Sequence, residues 1–356
     1  MFIYVSLFVL LIVLWVISKS ENNKRGSIAT KNNSRNIIAT AAVFLVIGLR
    51  DITVGADTQL YKILYESGYD WGEKEIGYTY LTRFCNNSGI SFNQFLIIIA
   101  FFCAVCFYVF VSKYSDDYVY SLIVFVGLGN FSMFMTGLRQ TIAISIVTLA
   151  LFAMMKSKWY LFIPLVLLAS TFHYSALIVL PVYLLKFIKF NRKSILVIAV
   201  LSWGTLIVFR DVVFNTFSKY LPEKYADSLI ELAGKYKNNI LVIAIEVCIF
   251  VFCWFCFNGE KGSKNHSKNV WDTLMLLHII AVCFLLQSQS SLQIGRIMYY
   301  FDVAKIVLIP NATTRMNDKD EIVVKLIILA LIIGKFFISV PGGYSKIDNY
   351  TFFFTN

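Results

Sequence analysis

Long apolar runs recur from one end of this chain to the other, and they constrain its fold more than any other feature. Each run has about 15–20 residues, enough to cross the hydrocarbon core of a bilayer once flanks and tilt are included. Charged residues make up only 15% of the chain, whereas soluble domains carry roughly 25%. The sequence therefore predicts an all-α polytopic membrane protein. We place twelve spans, at 2–18, 36–50, 94–112, 118–135, 140–156, 159–172, 174–190, 194–210, 240–257, 271–288, 293–310 and 322–340.

The distribution of basic residues predicts the orientation. No Lys or Arg precedes the first apolar run, from Phe2 to Ser18, and five follow it within residues 19–35. A signal peptide has the opposite charge order, so we expect this run to stay in the membrane as the first span. Basic residues favour the cytoplasmic side, which places the N-terminus outside.

Three long segments then fall on the outward side, at 51–93, at 211–239 and in the tail from Pro341 to Asn356. The first two carry apolar residues at helix-like spacing, which predicts helices that lie along the membrane surface. The chain shows no repeat of fixed period and no low-complexity tract. We therefore expect one integral membrane domain that covers residues 1–356.

Charge and motif content exclude several functions. The net charge is +11, but the basic residues are scattered through short loops, so we expect no nucleic-acid partner. The C-x-x-C pairs, Cys103/Cys106 and Cys253/Cys256, lie inside apolar runs and are interpreted as packing residues. The sequence has no Walker loop, no spacing typical of a metal site and no G-x-S-x-G turn. These observations predict a protein without a metal or another cofactor.

Charged residues stand at several predicted outward helix ends, where lipid contact would be costly. Arg is well suited to phosphate because its planar fork offers two parallel hydrogen bonds and keeps its charge. Each Arg on its own could instead reach a headgroup or pair with a local carboxylate. As a set, they predict a shared anion-binding cavity. The residues concerned are Arg50 with Asp51, Arg139 with Gln140, His173, Arg210 with Asp211, and Arg296.

His173 lies between two apolar runs that are joined by almost no loop. It could be a hydrogen bonder at a helix end or a general base, since histidine as a residue type titrates near neutral pH. Asp302 and Lys305 are three residues apart, so they share a helix face and are expected to pair. Glu246 has no obvious partner nearby in the sequence. His266 and His278 are weaker candidates for chemistry.

Five short motifs follow one another in a recognisable order. They are Gly48-Leu49-Arg50-Asp51…Thr53-Val54-Gly55…Asp57-Thr58…Tyr61, then Glu75-Ile76-Gly77-Tyr78, Gly137-Leu138-Arg139-Gln140, Phe172-His173-Tyr174-Ser175-Ala176 and Gly295-Arg296-Ile297-Met298-Tyr299-Tyr300-Phe301. In this order they resemble the EpsG-like group of Wzy-type polysaccharide polymerases. The similarity is clearest over residues 44–190.

The resemblance implies a fold like that of GT-C glycosyltransferases and a place in the bacterial inner membrane. It also implies a metal-independent enzyme that joins undecaprenyl-diphosphate-linked repeat units into O-antigen or capsular polysaccharide on the periplasmic or outer face. A chain-length regulator is a further expected partner. We assign His173, Asp51 and Asp57 as catalytic candidates, Arg50, Arg139, Gln140, Arg210 and Arg296 as diphosphate ligands, and Tyr61, Tyr78 and Tyr299 as pocket residues.

Other membrane functions share some of these features. A flippase for the same lipid-linked units would also have about twelve spans, but it usually shows related halves and charge through the membrane depth. An O-antigen ligase would use the same donor with a large outward loop late in the chain, whereas the larger segment here is early. A membrane acyltransferase is a third alternative, although its expected donor-loop residues are not evident.

Overall fold

The computed structural model describes residues 1–24, 33–70, 75–188, 190–218, 240–256, 268–288, 292–343 and 345–355. Within these ranges the regular structure is helical, apart from one isolated bridge between Arg50 and Phe352. The first half contains α1 Phe2–Lys24, α2 Asn33–Gly48, α3 Thr58–Glu66, α4 Ile76–Asn87, α5 Phe92–Tyr114, α6 Tyr118–Gly127, α7 Asn130–Thr136, α8 Leu138–Met155 and α9 Trp159–Phe172. The second half contains a 3₁₀ helix Tyr174–Phe187, α10 Arg192–Val208, α11 Arg210–Ser218, α12 Ile240–Phe255, α13 Lys268–Gln287, α14 Leu292–Ile297, α15 Tyr299–Thr313 and α16 Asp318–Ser339.

The helices are long and apolar enough to make this a polytopic membrane protein. Five of the described helices could each cross a membrane, and a sixth span arises if the bent pair α6 and α7 counts as one. Four further apolar helices are shorter, with 10–17 residues. The predicted runs thus correspond closely to helices, but the count of twelve spans and the GT-C architecture stay predictions.

The chain divides into two compact units. The first contains Met1–Leu180 and Asp318–Asn356, and the second contains Pro181–Asn317. The division separates the candidate residues that the sequence groups together, since Arg50, Arg139 and His173 belong to the first unit and Arg210 and Arg296 to the second.

The core of the first unit is built around α6, α7 and α8. Every residue of α6 is buried, and α6 meets α7 at a 62° bend after Gly127. Four aromatic side chains pack there. The ring centroids of Phe107, Phe125 and Phe134 lie 5.1–5.3 Å from one another. The ring of Phe44 lies 5.7 Å from that of Phe125. The single apolar run predicted at 118–135 is therefore two helices, because the chain breaks at Leu128-Gly129.

An ionic network closes one end of the first unit. Lys325 Nζ of α16 lies 2.6 Å from Asp117 Oδ2 and 2.8 Å from Glu321 Oε1. Lys19 of α1 also pairs with Glu321, and Trp15 donates to Asp117 from 3.0 Å. Charges buried in this way persist when each has a partner. The network therefore ties α1, α6 and α16 together at this end, and the candidate site lies at the other.

Segment 51–93 forms two short helices, α3 and α4, in the place where the sequence predicts surface helices. On α4, Ile76, Tyr80 and Phe84 are spaced by four residues and are all exposed. Residues spaced by four share a helix face, so α4 presents an apolar stripe suited to a membrane surface. In the second predicted outward segment, α11 occupies the first residues, and 219–239 lie outside the described part of the chain.

Candidate active site

A carboxylate, a guanidinium and an imidazole meet at one end of the first unit. Glu75 stands just before α4, Arg139 in the first turn of α8, and His173 just after α9. Glu75 Oε2 accepts a hydrogen bond from Arg139 Nη1. Its other oxygen, Oε1, lies 2.9 Å from His173 Nδ1. One carboxylate thus binds both residues, and we call Glu75, Arg139, His173 and Tyr61 the Glu75 cluster.

Gly77 allows this arrangement. A Cβ at this position would lie only 2.3 Å from Oγ1 of Thr171, near the end of α9. The absence of a side chain therefore lets α4 approach α9 closely. This approach sets Glu75, two residues before the glycine, beside His173, two residues after the threonine.

Tyr61 of α3 completes the cluster. Arg139 Nε donates to Tyr61 Oη over 3.3 Å, and the guanidinium carbon lies 5.9 Å from the centre of the Tyr61 ring. Tyr78 is buried behind it, with its ring 6.1 Å from that of Tyr61 and 6.3 Å from that of Phe95. Two rings thus position the guanidinium from one side. Of the predicted pocket residues, Tyr61 contacts Arg139 directly, and Tyr78 packs against the ring of Tyr61.

The cluster is partly open to solvent, and its surroundings determine which of its groups are ionised. The side chains of Arg139 and His173 are 27% and 28% exposed, so a ligand can reach them. Burial alone would raise the pKa of Glu75, but hydrogen bonds and charge from His173 and Arg139 outweigh it and lower that pKa. Glu75 is therefore an anion at neutral pH. Burial raises the pKa of Tyr61, which keeps it a neutral phenol.

Arg50, unlike Arg139, is almost fully buried, and residues near the C-terminus pack over its turn. Its side chain is 1% exposed, and Nη1 donates to the carbonyl of Ile47. Within the described residues, Nε and Nη2 have no hydrogen-bond partner. The residues from Ser345 onward cover this region: Asp51 N donates to Thr351 O at 2.9 Å, and Tyr350 Oη to Val46 O at 2.8 Å. We call residues 345–355 the C-terminal strap.

The remaining first-unit candidates have local roles. Asp51 accepts hydrogen bonds from the backbone and hydroxyl of Thr53, at 3.0 and 2.8 Å, and so shapes the turn. Asp57 stands before the first residue of α3, and its side chain makes no capping hydrogen bond there. Gln140 is buried, next to Arg139. The structure thus brings Arg139, His173 and Tyr61 together and shows Asp51 in a turn.

The second unit holds the other candidates. Arg296 is half-buried near the end of α14, and Tyr299 is half-buried at the start of α15. Arg210 begins α11, and its side chain is not among those described. The predicted Asp302–Lys305 pair is confirmed, with 2.9 Å between Nζ and Oδ1.

A family comparison identifies the chain. The family model described as the EpsG family matches residues 36–352, nearly the whole chain. This chain belongs to the EpsG family. The resemblance drawn from five motifs is thereby confirmed, and the match also extends beyond the clear similarity at 44–190. Searches of curated proteins and of solved structures find no match.

In this EpsG-family chain, the sequence analysis missed Glu75 as a site residue. It stands in the motif Glu75-Ile76-Gly77-Tyr78, but its partners lie 64 and 98 residues further along the chain. Only the folding of α4 against α8 and α9 brings them together. The available signal was a carboxylate two residues before a glycine, in a segment predicted to form a surface helix.

Proposed function

We propose that this EpsG-family protein is a polysaccharide polymerase that joins undecaprenyl-diphosphate-linked repeat units into O-antigen or capsular polysaccharide. The reaction would take place on the periplasmic or outer face of the bacterial inner membrane. A chain-length regulator would be a further partner. Family membership supports the general function, and one observation supports the site: Glu75 binds both His173 and Arg139.

The Glu75–His173 contact fits a general base. With Glu75 ionised, His173 Nδ1 carries hydrogen and donates to it, which leaves the lone pair on Nε2. That nitrogen would take the proton from the acceptor sugar hydroxyl as its oxygen bonds to the anomeric carbon of the donor. Glu75 would stabilise the imidazolium that forms, as the acid does in other His–carboxylate pairs. A positioned base contributes on the order of 10²–10⁴-fold in rate.

Arg139 fits the leaving group. As the new glycosidic bond forms, the bond between the anomeric carbon and the diphosphate oxygen breaks, and the lipid diphosphate departs with that electron pair. A fixed cation stabilises such developing negative charge. Arg139 is held by Glu75 and Tyr61, so it needs little reorganisation. Arg50, Gln140, Arg210 and Arg296 would assist as further diphosphate ligands, and Asp51 and Asp57 stay secondary catalytic candidates.

The test measures the number of repeat units in the surface glycan of three strains. One lacks this gene, and the other two are the same strain complemented with wild type or with Glu75→Gln. We expect the deletion and the variant to give glycan with a single repeat unit, at normal protein level for the variant. Absence of surface glycan would indicate a flippase, and free lipid-linked polymer a ligase. Either outcome would reject the polymerase. Glu66, an exposed carboxylate on α3, provides the matched control, and Glu66→Gln should restore full-length polymer.

A further inference from the structure

One edge of the Arg50 guanidinium is buried and has unused hydrogen-bond donors. Nη1 donates to the carbonyl of Ile47, whereas Nε and Nη2 make no hydrogen bond within the part of the chain that the structure describes. Nε and Nη2 lie side by side in the guanidinium plane, so they form a fork that can bind two oxygens of one oxyanion. A buried donor without a partner is costly, most of all on a charged group. This edge is therefore suited to an oxyanion.

The C-terminal strap lies over Arg50. Arg50 and Phe352 form an antiparallel bridge, and the backbone amide of Phe353 donates to Leu49 O at 3.1 Å. The phenol of Tyr350, also in the strap, lies near the Arg50 guanidinium and interacts with its charge. With the strap in this position Arg50 is only 1% exposed, so an anion from outside cannot reach the fork.

The strap is held by a small set of local contacts. Tyr4 Oη of α1 donates to Ile347 O at 2.6 Å, and the ring of Tyr4 lies 5.6 Å from that of Tyr350. Ile347 and Tyr350 are the buried apolar side chains at this place. A short segment held in this way can open at a lower free-energy cost than the whole unit.

Lys346 carries backbone strain near the start of the strap. Its φ is 48°, in the left-handed region that a lysine rarely adopts. Its side chain is exposed, and its carbonyl accepts a hydrogen bond from Gly55 N at 2.9 Å. The closed strap therefore holds Lys346 in a costly conformation that opening would release. Strain of this kind clusters at ligand clamps and switch segments.

Arg50 is also close to the Glu75 cluster, which lies in the same unit. The buried phenol of Tyr78 interacts electrostatically with both Arg50 and Arg139. Its ring packs against that of Tyr61, which accepts a hydrogen bond from Arg139. A diphosphate carries its charge on two phosphoryl groups, and guanidinium groups bind such oxygens in pairs. Two neighbouring arginines therefore match a diphosphate better than an anion with a single charged group.

We propose that the C-terminal strap is a lid on an anion site, which is formed by the Nε and Nη2 edge of Arg50 and takes the diphosphate of the lipid-linked substrate. The choice of ligand rests on the proposed function. When the strap opens, the strain at Lys346 is released and two diphosphate oxygens reach the fork. The ligand binds the open form only, so it shifts the population toward that form.

Chemical modification of arginine tests the lid without requiring polymerase activity. The full-length protein and a variant that lacks residues 345–356 are placed in phosphatidylcholine nanodiscs and treated with phenylglyoxal, and the modified arginines are quantified by mass spectrometry. We expect Arg50 to react about tenfold or more faster in the truncated variant, because its protection depends on the closed strap. Arg83, which is exposed, and Arg139, which is partly exposed, should react at unchanged rates.

Two substitutions at Lys346 test the lid with the strap in place. Both remove the lysine charge, but Asn tolerates the left-handed region and the β-branched Val does not. Arg50 should therefore react several-fold faster in Lys346→Val than in Lys346→Asn, while Arg83 reacts equally in both. The chain keeps its full length in this comparison, so it decides the matter even if the truncated variant does not fold.

The ligand is tested in the Lys346→Val variant with undecaprenyl diphosphate added to the nanodiscs. This lipid should slow the modification of Arg50 several-fold and leave that of Arg83 unchanged. Phosphatidylglycerol, added instead, presents a single phosphate on an ordinary headgroup and should give no protection.

Two results would overturn the proposal. Equal rates of Arg50 modification in Lys346→Val and Lys346→Asn would show that the strap is not a lid. Protection by phosphatidylglycerol as strong as that by undecaprenyl diphosphate would identify a headgroup site instead of a diphosphate site. Neither measurement depends on the glycan made in cells, so a failure of the lid is distinguishable from a failure of the proposed function.

Discussion

Glu75 Oε1 lies 2.9 Å from Nδ1 of His173, a residue 98 positions later in the chain. The same carboxylate binds Arg139 through its other oxygen. This geometry orients the imidazole and fixes which nitrogen carries hydrogen, provided that Glu75 is ionised. It also neutralises part of the charge of Arg139. The two partners of Glu75 are therefore coupled, and a change at Glu75 should affect both.

The first prediction concerns His173 as the base. His173→Ala should give mostly single-repeat glycan, because on the order of 10²–10⁴-fold in rate depends on proton transfer. His173→Gln keeps a hydrogen bond to Glu75 but cannot usefully accept a proton, so it should be nearly as defective. The measurement is the length distribution of the glycan at matched protein levels. Near-normal polymer from His173→Gln would show that His173 only positions other groups. Asp51 and Asp57 would then be the remaining candidates for the base.

The second prediction concerns pH and stability. The pKa of Glu75 is lower in the folded protein than in the unfolded chain. The stabilisation is therefore fully present above the unfolded pKa of a glutamate and is lost as pH falls through the folded pKa. Thermal unfolding in detergent should show wild type more stable than Glu75→Gln at pH 7, with the difference shrinking in acid. A difference that grows in acid would contradict the lowered pKa.

Helix positions were predictable from the sequence, but pairing between helices was not. Apolar runs locate α5, α8 and α9 within a few residues, because the bilayer requires about 20 apolar residues per span. The bend after Gly127 was missed, since both sides of it are apolar. Arg139, His173 and Tyr61 were recognised by residue type and motif. Glu75 and the burial of Arg50 were not, because they depend on contacts between residues far apart in sequence.

The third prediction compares two arginines. Arg139 donates from Nε to Tyr61 and from Nη1 to Glu75, and one lysine ammonium cannot reproduce this fork. Loss of one charge-assisted hydrogen bond is worth about 1.5–3 kcal/mol, so Arg139→Lys should slow polymerisation by about tenfold or more. Arg50→Lys should also impair polymer formation if Arg50 binds diphosphate. Full polymer from both variants would reject diphosphate binding at these positions.

The fourth prediction concerns orientation. Ser67 is exposed just after α3, at the candidate-site end of the first unit, and Asn22 follows the first apolar run. In a background without native cysteines, a thiol reagent that cannot cross the membrane should label Ser67→Cys in intact cells and miss Asn22→Cys. Labelling after permeabilisation checks that both thiols are reactive. The reverse pattern would place the candidate site on the cytoplasmic side and would contradict an outward polymerase.

The C-terminal strap gives the last prediction. Backbone amides of Asp51, Gly55 and Ala56 donate to carbonyls of Thr351, Lys346 and Ser345, at 2.9, 2.9 and 3.0 Å. These three amides should therefore exchange their hydrogens only when the strap opens locally.

Removal of residues 345–356 should raise exchange at these three amides by about tenfold or more, while amides in the middle of α5 stay protected as the internal control. Tyr350→Phe, which loses the hydrogen bond to Val46 O, should give a smaller increase at the same amides. Unchanged exchange after truncation would show that the turn holds its shape without the strap. In that case the strap would not be what closes the turn beside Arg50. A large increase would mean instead that the strap closes this turn, and a diphosphate that binds Arg50 would then be expected to need the strap to open.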